Sequence, residues 1–297
     1  MALTRSCIQS KETLMADDLV LTPGGFRSKS LVHAFEPDHG LTLLDSGDFA
    51  DVELATGKSA VITKPSSARS EFRAHGPTGA GSPSLRPTPA LPSGWQIYAW
   101  WDSDGKSITY FGTDWVVPPA PKVSSGQTVF IFNGIQNTGA NYGILQPVLQ
   151  WGSSAAGGGA YWSVASWYVT SGGQAFHTKL VRVNPGDKLQ GVMTQTSVSG
   201  SKYDYDSAFH GIANTTLKVS KIAPLHWANE TLECYGMEVC SNFPNTGDTD
   251  MSAIEIRIGS THPKLKWTPV DAVTNCKQHT VVVNDANPHG EIALHYN

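Results

Sequence analysis

From Trp95 onward the chain is a succession of short aromatic and β-branched runs, and this texture constrains the fold more than any other feature. The runs are WQIYAWW, SITYFGTDWVVPP, QTVFIFNGI, GILQPVLQWG, AYWSVASWYV, HTKLVRV, DKLQGVMTQT, TTLKVSKI, SAIEIRIGS and HTVVVND, each bounded by Gly, Pro, Asn or Asp. Segments of this length and composition fit a pleated, half-buried surface, and the bounding residues are those that turns require. None carries the 3.6-residue apolar period of a core-facing helix. Ten or so such strands predict an all-β sandwich.

Residues 17–63 also read as short strands with turn punctuation, in DLVLTPGG, SLVHAFEP, LTLLDSG and ADVELATGKSAVITKP. Between the two β-rich parts, residues 64–94 hold six Pro, four Gly and six Ser, with almost no apolar periodicity. That composition predicts a linker. The expected organisation is a small β-rich accessory or propeptide-like segment over 1–63, a linker over 64–94 and a β-sandwich domain over 95–297.

Several function classes are excluded early. Lys plus Arg number 21 against 25 Asp plus Glu, for a net charge of −4 with no basic block. The electrostatic footprint of a nucleic-acid binder is missing. No apolar run approaches the ~18 to 20 residues of a membrane span, so no membrane partner is expected, and MALTRSCIQSKETLMADD lacks the apolar stretch of a signal peptide. Charged residues make up only 15% of the chain, a surface chemistry common in extracellular β-proteins, so secretion is favoured on composition despite the missing leader. GxSxG, Walker A, GxGxxG and HExxH are all absent, and no cofactor or metal site is expected.

Three local features have two readings each. Cys234 and Cys240 are spaced to close a short disulfide loop in an oxidising compartment, or to remain two thiols. KYDYDSAFHG, with Asp204, Asp206 and His210, is a candidate calcium or sugar site or a solvated hairpin. TPGGFRSKSLVH, with Arg27, Lys29 and His33, is a candidate anion nest or a turn between strands. Asn214 and Asn229 head glycosylation sequons.

In AYWSVASWYV, alternation puts Tyr161, Ser163, Ala165 and Trp167 on one face and Trp162, Val164, Ser166 and Tyr168 on the other. Large aromatics on both faces predict that one face fills the core while the other lines a groove suited to a peptide or a sugar ring. The candidate polar chemistry lies in two segments, Gln136, Gln146 and Gln150 in one and Glu230, Glu233 and Glu238 in the other. Carboxylates among apolar aromatic neighbours are costly unless paired or functional.

At these residues the sequence resembles the glutamic peptidases of the eqolisin family. Phe132-Asn133-Gly134-Ile135 followed by Ile144-Leu145-Gln146 resembles the family's Trp-x-Gly-Ile and Ile-Leu-Gln segments. Trp167-Tyr168 resembles its aromatic strand, Gly186-Asp187 its inter-strand turn, and Asn229 to Tyr235 its Asn-Ala-Glu and Glu-Asp-Phe strand. The resemblance spans roughly residues 106–260. It implies a two-sheet antiparallel concanavalin-like sandwich, or jelly roll, and a metal-free hydrolase acting on a peptide or protein substrate. Gln146 is then the oxyanion-stabilising amide, and Glu233 or Glu230 the base that activates water.

Which glutamate serves depends on a one-residue offset, because Asn229, Thr231 and Glu233 face one way and Glu230 and Leu232 the other. With Leu232 in the core, Glu233 takes the groove side. Phe132, Gln136, Trp151, Trp167 and Tyr168 are expected to shape the substrate groove. Phe132 stands where the family has an active-site tryptophan, and a phenyl ring lacks the indole N–H donor. A groove retained with an altered dyad leads to the alternative, a non-catalytic binding protein for a glycan or a peptide.

Overall fold

The structure is a computed structural model that describes residues 18–66, 68, 70, 93–139 and 142–296. Cys7, residues 1–17 and most of the expected linker lie outside the described residues. Among the described residues, regular structure is twenty-one strands and two single 3₁₀ turns, at Lys29–Leu31 and Cys240–Asn242. No helix there is long and apolar enough to cross a membrane.

Two large sheets pack face to face. The first runs in the order β19 (Thr268–Asp271), β7 (Gly94–Asp102), β17 (Trp227–Tyr235), β9 (Thr128–Gln136), β10 (Gly143–Ser154), β11 (Gly157–Thr170), β12 (Ala175–Thr178) and β3 (Val32–Phe35), with β13 (Val181–Arg182) also paired to β11. The second runs β20 (His279–Asn284), β21 (Gly290–His295), β18 (Asp248–Arg257), β8 (Tyr110–Val116), β14 (Lys188–Ser199), β15 (Lys202–Phe209), β16 (Leu217–Ile222), β4 (His39–Leu43), β5 (Phe49–Glu53) and β6 (Ser59–Ile62). A separate hairpin is made by β1 (Leu19–Thr22) and β2 (Gly25–Ser28).

The all-β sandwich read from the sequence is present, but its sheets are mixed rather than purely antiparallel. β3 pairs in parallel with β12, and β4 in parallel with β16. Parallel neighbours need long connections, and here strands from the first 63 residues add to sheet edges formed far downstream. The N-terminal strands therefore extend both sheets.

The layer between the sheets is filled by Ile97, Ile131, Leu145, Leu149, Trp162, Tyr168 and Leu232 from the first sheet against Phe111, Leu189, Met193, Tyr205 and Ile256 from the second. The first sheet is apolar on its other face as well, with Trp95, Tyr98, Phe130, Phe132, Ile144, Val148, Trp167, Trp227 and Tyr235 in a second cluster. This explains why β9 and β17 are buried along their whole length. The β1–β2 hairpin packs Leu21 and Phe26 against that outer cluster, and the Phe26 ring meets Tyr235 edge-on at 5.8 Å.

At the end of the β10–β11 ladder a register shift falls between Trp151 and Gly152. A Cβ at position 152 would stand 2.2 Å from the Gln127 carbonyl oxygen, and the backbone there has φ +89°, so only glycine fits.

The disulfide differs from the pairing considered above. Cys240 is bonded to Cys276, while Cys234 is a buried free thiol. The strand period is the cause: Cys234 shares the inward face of β17 with Leu232 and lies in the inter-sheet layer, whereas Cys240 sits beyond the strand end. KYDYDSAFHG forms the second strand of the β14–β15 hairpin. Its Asp206 pairs with Lys218 at 2.7 Å, and Asp204 accepts the Lys221 backbone N–H at 2.8 Å.

Candidate functional site

The outer face of the nine-stranded sheet holds the polar groups singled out from the sequence, and strand alternation decides which of them reach it. On β10, Leu145 and Leu149 face the inter-sheet layer, while Ile144 and Val148 face outward. Gln146 therefore faces outward, 1% exposed, and its carbonyl oxygen is buried with no hydrogen-bond partner. The register of β9 with β10, Leu145 opposite Ile135 and Val148 opposite Phe132, puts Gly134 beside Gln146. Beyond Gly134 on the next strand stands Asn229. The Asn229 amide donates to the Gly134 carbonyl oxygen at 3.2 Å, and its own oxygen accepts the Thr231 hydroxyl at 2.9 Å. The side chain facing Gln146 across this row is thus a second amide.

The two glutamates are sent to opposite faces of β17. Glu230 points into the inter-sheet layer, where it accepts the Thr113 hydroxyl of β8 at 2.6 Å and its other oxygen is unpartnered. Burial pushes its carboxyl well above the usual range, against the opposing effect of the Thr113 bond. Because it lies on the far side of the sheet from Gln146, Glu230 forms no pair with that amide. The expected assignment of Leu232 to the core and Glu233 to the outer face agrees with the packing.

Glu233 accepts the Tyr235 hydroxyl at 2.5 Å and the Gly24 backbone N–H of the β1–β2 turn at 2.9 Å. Burial raises its pKa to about 7, while the Tyr235 and Gly24 bonds, the Arg27 cation and the Trp95 indole oppose the rise. Its row is a different one from that of Gln146. Glu233 sits opposite Phe130, which sits opposite Gln150. Gln150 is four residues from Gln146, so the two rows are about 13 Å apart along the strand direction. No hydrogen bond joins Gln146 to Glu233. Gln150 itself is occupied, donating to the carbonyl oxygens of Gly152 at 2.8 Å and Gly157 at 3.0 Å.

The expected groove residues divide in the same way. Phe132 and Trp167 lie in the outer cluster, and the Trp167 ring lies tilted against His177 with centroids 4.5 Å apart. Gln136 accepts the Tyr142 hydroxyl at 2.9 Å. Trp151 and Tyr168 instead belong to the inter-sheet layer, Trp151 packing edge-on to Trp162 at 5.5 Å, so neither lines the outer face. The reason is strand parity: Trp151 is odd-numbered on β10 like Leu145 and Leu149, and Tyr168 is the neighbour of outward-facing Trp167. Asn229 is completely buried and unavailable to glycosylation, whereas Asn214 is exposed.

Sequence reasoning placed Arg27 in a candidate anion nest or turn and missed that it completes this environment, bonded to backbone carbonyls. Arg27 is fully buried beneath the hairpin, its guanidinium donating to the backbone oxygens of Gly173 at 2.9 Å, Gln174 at 3.4 Å and Pro23 at 3.3 Å. Burial lowers its pKa to about 10, while Tyr235, Glu233 and Tyr142 favour the cation. An arginine in a Gly-Gly-Phe-Arg turn gives no local sign that it will be buried beside a glutamate more than two hundred residues away. Flanking the hairpin is an open cavity of about 510 Å³, lined by Val20, Val32, Ala155, Tyr161, His177 and Lys179 among others. Among the described residues, no group of three or more His, Cys, Asp or Glu is gathered as a metal-ligand set.

No family model matches the chain, and no curated protein matches it. Among solved structures, two of scytalido-glutamic peptidase, one with a peptide based transition state analog and one with a transition state analog inhibitor, align with 70% of this chain and 100% of theirs, at 15% and 14% identity and a TM-score of 0.46 each. SCP-B, a member of the eqolisin family of peptidases in a complex with the tripeptide Ala-Ile-His, aligns over the same shares at 14% identity and a TM-score of 0.41. At such identities the roles of individual residues rest on the geometry of this chain.

Proposed function

We propose that the outer face of the nine-stranded sheet is a binding groove for an extended peptide, and that the protein acts there by recognition rather than through a Gln/Glu dyad. The observation that carries this reading is the row Gln146, Gly134, Asn229. The row is buried, so a peptide reaches it only by displacing what covers it. Gln146, whose side-chain oxygen has no partner, then offers an amide that matches a peptide backbone beside a residue with no side chain. Neither Gln146 nor Asn229 can accept a proton from water. The hairpin supplies a second support, since a backbone N–H from Gly24 already docks on Glu233. Aromatic walls from Trp95, Phe132 and Trp167 give the face the apolar character of peptide grooves.

The test is binding of a library of short peptides to the full chain and to Gln146→Ala. The expected result is retained folding with weakened binding in the variant. Peptide binding that is indifferent to Gln146 would overturn the reading.

Glu233 favours a second reading, peptide hydrolysis. A carboxyl with a pKa of about 7 is well matched to proton transfer near neutral pH, and Glu233 on the groove side was the carboxylate expected to serve. On this reading the full chain cleaves an unfolded protein substrate, and cleavage is lost in Glu233→Gln. Absence of cleavage by the wild-type chain from acidic to neutral pH would exclude it.

A further inference from the structure

The β1–β2 hairpin is attached to the rest of the molecule in an unusual way. It belongs to neither large sheet, and it meets the outer face through Gly24 N–H on Glu233, through Leu21 and Phe26 in the apolar cluster, and through Arg27. A further backbone bond links Ala155 N–H to the Leu21 carbonyl oxygen at 2.6 Å. Each of these contacts is one that a separate peptide chain could make. Two of the three carbonyl acceptors of Arg27, those of Gly173 and Gln174, are contributed by the sheet side of the contact, as are Glu233, Tyr142 and Tyr235.

We propose that the hairpin is a resident ligand of the groove, and that the external ligands which displace it are arginine-bearing peptides. The inference rests on the peptide-groove reading and adds the class of ligand. Its physical basis is charge. If the hairpin left without replacement, the carbonyls of Gly173 and Gln174 would lose a charged donor, and Glu233 would lose the Gly24 N–H and a positive charge that favours its ionised form. Buried carbonyls that lose a charged donor are left under-satisfied, at a cost in stability. A replacement that restores these bonds brings charged donors, and two divergent backbone acceptors with a carboxyl nearby fit a planar guanidinium with several N–H donors better than an ammonium point charge.

The probe is the nonapeptide Leu-Thr-Pro-Gly-Gly-Phe-Arg-Ser-Lys, blocked at both ends, compared with the same peptide bearing citrulline in place of arginine. Both are titrated by calorimetry into the full wild-type chain and into full-length Arg27→Met, which keeps an unbranched side chain and removes the cation. The expected result is that Arg27→Met binds the arginine peptide roughly tenfold or more tightly than the citrulline peptide. Wild type should bind it more weakly than the variant, because a tethered competitor acts at an effective concentration of millimolar order.

Should Arg27→Met not fold, hydrogen exchange in the wild-type chain replaces it. Exchange over residues 19–28 should accelerate with excess arginine peptide and not with the citrulline peptide. Equal binding or equal exchange with the two peptides would overturn the arginine inference and leave the groove intact. Failure of both peptides to bind or to alter exchange would overturn the groove reading together with it.

Discussion

Glu233→Gln tests the electrostatics of the outer face directly. The carboxyl is raised from 4.5 to about 7 by burial, a gap worth about 3 kcal/mol at 1.36 kcal/mol per unit. The sign follows from proton counting. Between the two values the folded chain keeps a proton that the unfolded chain has released, so stability falls as pH rises. The contribution is fully present below about pH 4.5 and lost once the pH passes about 7.

Glutamine does not titrate, and its side-chain oxygen still accepts the Gly24 N–H. Denaturant unfolding followed by tryptophan fluorescence, with the disulfide intact, should give two stability curves that converge or diverge by about 3 kcal/mol between about pH 4 and about pH 8, the variant gaining on the wild type toward high pH. Glu230 is also raised, but it is common to both chains and cancels in the difference. Arg27, at about 10, titrates outside the window. Parallel curves would refute the reasoning, because they would mean that Glu233 has the same proton affinity in the folded and unfolded chains.

Other perturbations isolate other parts of the structure. Replacing Cys240 and Cys276 by serine opens a loop with a sequence separation of 36 and should cost about 4 kcal/mol in urea unfolding, whereas Cys234→Ser should leave non-reducing peptide maps unchanged. Thr113→Val removes the hydroxyl that Glu230 accepts in the inter-sheet layer, and equilibrium unfolding should show a loss of about 1 to 3 kcal/mol. Asn229→Asp replaces an amide that donates to the Gly134 carbonyl. A protonated acid can still donate there, but an ionised one sets like charges face to face, so the variant's stability loss should grow with pH, and a pH-independent loss would contradict the assigned geometry.

The fold was legible because its signal is local. Alternation and turn residues mark β7 to β11 without any knowledge of their partners, and parity alone predicts that Glu233 and Leu232 part company on β17. Parity without the register, however, leaves the absolute face undetermined. Trp151 and Tyr168 look like groove aromatics in isolation, and only the pairing of β10 with β11 shows that both turn toward the second sheet. The parallel additions of β3 and β4 were equally hidden, since a strand's sequence carries no mark of which distant edge it joins. Arg27 was the least legible of all. Its burial depends on a carboxylate, two carbonyls and a hairpin that come together only in three dimensions.

The outer face is therefore two environments on one sheet. The row through Gln146, Gly134 and Asn229 is neutral, and its groups match the donors and acceptors that every peptide unit repeats, so it can register a backbone but cannot tell one side chain from another. The row through Glu233 is ionisable, lies about 13 Å away along the strand direction, and already holds a guanidinium close by. That spacing is about four residues of extended chain. A peptide lying along the strands would thus meet sequence-blind contacts at one end and a charge-selective pocket at the other, and selectivity would reside in the glutamate row, because an unmatched group there forfeits charge-assisted bonds to the Gly173 and Gln174 carbonyls while an unmatched backbone at the amide row forfeits only neutral hydrogen bonds.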